Sequence, residues 1–137
     1  MKVKLLGSLL VVAAFLLICG QVFAHHGSTA YSDKLIVLKD ATVTKFVWAN
    51  PHCIVMFDAK DEHGTLAHWA GEAGSPAALS LLGWTKNSLG PGDVVTVYLY
   101  PAKSGNPVGR LNGIVLSDGT TLKDSQQGGD KFNPGNP

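Results

Sequence analysis

The sequence predicts an all-β domain, a small five-stranded barrel with one short helix between its third and fourth strands. Three observations lead there. Past residue 33, Ile, Val, Thr and aromatic residues gather into short runs separated by turn signals such as Asn50-Pro51, Pro91-Gly92-Asp93 and Asp118-Gly119. A single helical signature, Ser75-Pro76, falls after the third run. The chain has 137 residues, so it has room for one modest core and not two.

The chain opens differently. Lys2 and Lys4 precede a 14-residue, predominantly apolar run from Leu5 to Ile18, and Val22-Phe23-Ala24 offers a cleavage site. Charge, length and site predict a signal peptide over residues 1–24, too short for a comfortable membrane span. A lipoprotein cut before Cys19 is disfavoured because bulky Ile18 precedes that cysteine. Cleavage after Ala24 leaves 113 residues and no stable membrane anchor, with the mature protein periplasmic or secreted. Lys2 and Lys4 leave with the leader, so nine basic residues face ten acidic ones and the mature charge is −1. A near-neutral surface argues against capture of nucleic acid or anionic lipid. Cys53 is the one cysteine left, so no intramolecular disulfide is expected.

Each element follows from local chemistry. His25 to Asp33 reads as an extended arm. Lys34 to Trp48 is long enough for one bent strand or two segments joined by a bulge near Lys39-Asp40. His52 to Ala59 is the second strand, and Lys60 to Gly64 a polar turn ending in the glycine that a hairpin favours. Thr65 to Glu72 is the third. Ser75 caps a helix with Pro76 at its first position; Ala77 to Leu82 continue it and Gly83 ends it. Val94 to Tyr100 alternates as a well-buried strand, and Gly109 to Leu116 follows the turn at Ser104 to Pro107. Thr120 to Leu122 makes a short last pairing. The single domain spans residues 25–122, and 123–137, rich in Gly, Asn, Asp and Pro, is expected to be a disordered tail. Strand, strand, strand, helix, strand, strand is the order of an oligomer-binding (OB) type barrel. An up-and-down barrel or sandwich would leave the helix without a role.

A hairpin turn near residues 61–63 pairs residues whose numbers sum to about 124, give or take a register step. Val55 then opposes Trp69 and Cys53 opposes Gly71. Alternation places Cys53, Val55, Phe57 and Trp69 on one face and His52, Met56, His68 and Glu72 on the other. Cys53 therefore reads as a buried thiol acting as a small apolar residue. The opposite face gathers donors that suit a late transition metal, although polar residues also belong on any solvent face. His63 lies at the turn, and Trp48, Trp69 and Trp84 read as core or rim anchors. No carboxylate pair, phosphate loop or Cys-x-x-Cys is present, and Ser28 with His25 and Asp33 carries no weight as a triad.

His25 at a free amino terminus would offer its amine, with a pKa near ~8, and a ring nitrogen to one ion. Copper(II) heads the affinity series for such sites. Further donors are His26, or His52, Met56 and His68 if the arm folds back, although ordering a flexible arm costs roughly 1 kcal/mol or more per residue.

His25-His26-Gly27-Ser28-Thr29-Ala30-Tyr31, Val47 to His52, Ser88 to Val97 and Pro101 to Gly105 together resemble an uncharacterised family of small exported bacterial proteins, domain-of-unknown-function family 6152. The resemblance runs from His25 to about Leu122; Gly90 stands where a lysine is expected. It implies export and one small domain, and supplies no reaction, cofactor or catalytic residue. The expected role is a non-enzymatic exported binding module for a small ligand or periplasmic protein partner, using the groove around the second and third strands. The alternatives are a copper-binding or copper-delivery protein and, third, an oxidative copper enzyme. The negative charge and export disfavour single-stranded nucleic acid.

Overall fold

A computed structural model describes residues 30–61, 63–125 and 132–134. Its elements are β1 (Ile36–Val47), β2 (Ile54–Lys60), β3 (Leu66–Glu72), α1 (Pro76–Ser80), β4 (Val94–Pro101), β5 (Val108–Leu116) and β6 (Thr121–Lys123). The strands are hydrogen-bonded in the order β3-β2-β1-β4-β5-β6, and a parallel pairing of β3 with β5 closes the first five into a barrel. This is the expected OB-like arrangement, with the helix between β3 and β4. β5 divides its free edge: Val108 to Arg110 pair with β3, and Gly113 to Val115 with β6.

The bend in β1 lies where the sequence predicts it. Asp40 adopts a φ of 54°, and the β1–β4 register shifts between Leu38 and Ala41. A second irregularity against β2 falls between Val43 and Lys45. Two bulges let one 12-residue strand serve two neighbours at its two ends.

The core is the inward half of each alternation. Cys53, just ahead of β2, and Val55, Phe57 and Ala59 within it are buried, as are Val43, Val97, Leu99, Leu111 and Ile114. Each fully buried large side chain contributes roughly 1.5–3 kcal/mol by leaving water. Leu79 of α1 and Trp84 just beyond it join the same cluster. Trp84 donates its indole N–H to the Lys123 carbonyl at 2.7 Å. Ser75 caps α1 by accepting from Ala78 N, as expected. The helix ends at Ser80, two residues short of the expected Leu82: Gly83, at φ 88°, turns the chain so that Trp84 N returns to the Leu79 carbonyl.

Two expectations need correction. The β2–β3 register sums to 126, not 124, so Phe57 opposes Trp69, Val55 opposes Gly71, Met56 opposes Ala70 and Asp58 opposes His68. The cause is the turn. Asp61 Oδ1 accepts from both His63 N and Thr65 N, and Gly64 sits at φ 80°, which centres the loop on His63. A shift of two keeps every residue on its expected face. The tail is corrected only at its described residues, 123–125 and 132–134; the rest of it lies outside them. Asp124 is buried and accepts from Gly74 N at 2.8 Å. Phe132 is buried edge-on against Tyr98, whose hydroxyl donates to the Pro134 carbonyl. Gly113 leaves the space that ring fills, since a Cβ there would meet it at 2.8 Å. A glycine on β5 thus gives the tail's one aromatic a seat.

Candidate functional site on the outer face of the second and third strands

The outward alternation of β2 and β3 builds two clusters. At the end of β3, Glu72 is the hub. Tyr31 donates its hydroxyl to Glu72 Oε2 at 2.9 Å. His52 Nδ1 lies 3.5 Å from Glu72 Oε1 and 3.2 Å from the Ala73 carbonyl, and Arg110 approaches the same carboxylate at 4.0 Å. Arg110 arrives through barrel closure, because it is the β5 partner of Glu72. Tyr31 arrives because the arm is stitched to the end of β4: it bridges Ala102, Ser32 N bonds the Pro101 carbonyl, and Lys103 N bonds the Ala30 carbonyl. Burial, the hydrogen bond to Glu72 and the nearby carboxylate charge raise the Tyr31 pKa above its ordinary 10.0, with Arg110 opposing.

The second cluster lies farther along the hairpin. Met56, Asp58 and His68, with Thr44, Trp69 and the Pro107-Val108 step, line an open cleft of about 440 Å³. His68 Nδ1 is 2.6 Å from Asp58 Oδ1. That contact holds one ring nitrogen and turns Nε2 outward, on a side chain that is 83% exposed. Met56 is 41% exposed and Val108 38%, so the cleft presents apolar surface to solvent. Trp69, stacked on Phe57 from the inward alternation, also lines it, and among the described residues its buried indole N–H has no hydrogen-bond partner.

Of the five donors read as a candidate metal set, the structure brings Met56 and His68 to one cleft. His52 sits instead with Glu72, four residues from His68 on β3, or about 13 Å along the strand. His25 and His26 lie outside the described residues. Among the described residues, no three His, Cys, Asp or Glu side chains group in a way that could hold a metal ion. Cys53 is fully buried, and burial pushes its thiol pKa up against the opposing hydrogen bond from the Ala49 backbone.

Sequence reasoning missed three participants. Asp58 shares the parity of Met56 and becomes the partner of His68 only in the corrected register. Arg110 needs the β3–β5 closure, which no local signal encodes. Tyr31 needs the arm's docking on β4, for which alternation gives no sign.

Residues 14–112 match the model of a family of unknown function, DUF6152. The chain belongs to this family. The DUF6152 match takes in β1 to β4 and β5 as far as Asn112, and with them both clusters. Its description names no reaction and no ligand, and no cofactor is indicated. No curated protein and no solved structure matches the chain.

Proposed function

We propose that this DUF6152 protein is an exported, non-enzymatic binding module whose ligand face is the outer surface of β2 and β3. The observation that carries the reading is the open cleft bounded by Met56, Trp69, Pro107 and Val108. It falls within the size range of small-molecule sites and combines apolar walls with a few fixed polar groups. By fold-level analogy, OB barrels bind on the same strands, flanked by the loops after the first and fourth. Here the β4–β5 connection supplies Pro107. Export rests on the charge, length and cleavage site of residues 1–24. The occupant is a small ligand or an extended segment of a protein partner.

Thermal shift against a panel of small solutes and short peptides tests the cleft. A ligand should raise the melting temperature of the wild type and not of Met56→Lys, which places a charge in the cleft at an exposed position. Equal shifts in both proteins would move the site elsewhere.

Copper binding is the second reading, favoured by the Asp58–His68 contact beside Met56. A carboxylate that orients an imidazole through one nitrogen prepares the other for a metal, and a thioether suits the softer state of copper.

A further inference from the structure

We infer that the occupant of this face is an extended peptide segment of a protein partner, which adds as a strand to the bare first half of β3. The inference rests on the cleft reading and chooses between the two occupants which that reading allows.

The hydrogen-bond pattern supports it. Along an antiparallel ladder, successive residues direct their backbone N–H and C=O alternately toward the partner strand and away from it. Asp61 N bonds the Thr65 carbonyl on the β2 side, and Ala70 N bonds the Pro107 carbonyl on the opposite side. Odd-numbered residues of β3 therefore face β2 through their backbone, while Leu66 and His68 direct theirs away. β2 accompanies β3 from Leu66 to Glu72, whereas β5 accompanies it over Ala70, Gly71 and Glu72. Ahead of Val108 the chain folds back to β4, with Ala102 N bonded to the Val108 carbonyl and Gly105 N to the Ala102 carbonyl. Among the described residues, no strand pairs with Leu66 to Trp69 on that side.

The chemistry of this edge selects the partner. Sheets guard an open edge with lysine, proline or a covering loop. Here the bare stretch is Leu66-Ala67-His68, and Leu66 is 57% exposed. A segment entering the lane ahead of Pro107 would exchange backbone hydrogen bonds with Leu66 and His68, and its side chains would alternate between faces. Those on the outer face meet the cleft, whose walls at this edge are Met56, Ala70, Pro107 and Val108. Such walls suit an apolar side chain. Among the described residues that line the cleft, Asp58 supplies a carboxylate and no lysine or arginine is present, so charge favours a neutral or basic segment over an acidic one.

The test is selection of binders to the full chain, as a bacterium produces it, from a library of blocked hexapeptides randomised at alternate positions. Amide hydrogen exchange followed by nuclear magnetic resonance then reads the complex. His68→Pro removes one edge donor and no bond to β2, at an edge where proline is tolerated; His68→Ala controls for the side chain. Selected peptides should be apolar at alternate positions, with Lys and Arg outnumbering Asp and Glu. The best should slow exchange of the Leu66 and His68 amides. It should bind His68→Pro about tenfold more weakly than wild type or His68→Ala, the worth of roughly one net hydrogen bond. Methylating its backbone nitrogens, one alternate set at a time, should abolish binding to the wild type for one set and spare it for the other. That arm does not depend on His68→Pro folding. Peptides that shift the Met56 and Trp69 signals yet leave both amides exchanging freely overturn strand addition and leave the cleft reading in place. So does a library without binders when small solutes still move those signals. Amide protection that grows with protein concentration, without peptide, makes the occupant a second copy and also overturns the inference. If neither peptides nor small solutes move the Met56 and Trp69 signals, the cleft reading itself fails.

Discussion

Tyr31 shows how one side chain can order a segment. Its hydroxyl donates to Glu72 only while protonated, and burial with the adjacent carboxylate raises its pKa above 10.0. A group whose folded pKa is raised contributes stability that is complete below the unfolded value and is lost as pH climbs through the folded one. The wild type should therefore be more stable than Tyr31→Phe at neutral pH, and the difference should shrink above about pH 10. Urea unfolding at stepped pH checks this. The variant isolates Tyr31 from Cys53, whose raised pKa adds its own alkaline dependence from about 9.0 upward. Neither effect is legible in sequence, where Tyr31 is one polar aromatic in an arm without alternation. Cys53 was legible, because its strand parity alone placed it among Val55 and Phe57.

At the scale of elements, β1 and the β2–β3 hairpin show what local pattern can and cannot specify. The bulge at Lys39-Asp40 was readable because the strand was too long for one partner and carried an acidic residue mid-run. Asp40 holds a left-handed φ of 54° at an exposed position. Asp40→Gly should be neutral or stabilising by up to about 1 kcal/mol, whereas Asp40→Val should cost about 1–2 kcal/mol, both read by thermal or urea melts. The hairpin's faces were readable because side-chain parity survives a shift of two, but its register was not. The turn's hydrogen bonds to Asp61 decide the register, and with it that His68 meets Asp58 rather than Met56. Helix α1 was legible from its cap and its glycine, and only its end was misplaced.

For the whole molecule, five strands and a helix in the right order were enough to name the barrel, since few closed topologies place a helix after the third strand. The closure of β3 on β5 was not visible, and the Glu72 cluster depends on it through Arg110. Nor was the docking of Phe132 on Gly113 and Tyr98, a contact between segments far apart in the chain. The proposed export belongs to this scale. When a bacterium produces the full chain, fractionation and amino-terminal sequencing should find it outside the cytoplasm, beginning at His25. An intact Met1 terminus in the cytoplasm would remove the basis for a histidine amine.

The central claim is that the outer face of β2 and β3 is the working surface, and Met56 offers a direct probe of it. Met56 is the one methionine besides Met1, which the proposed cleavage after Ala24 would remove. A carbon-13 methyl label there, followed by nuclear magnetic resonance with the Trp69 indole as second reporter, reads the cleft through two signals during a fragment titration. The account predicts that binders converge on both signals and lose affinity in Met56→Lys. Binders that leave both signals still while shifting residues elsewhere on the barrel would contradict it.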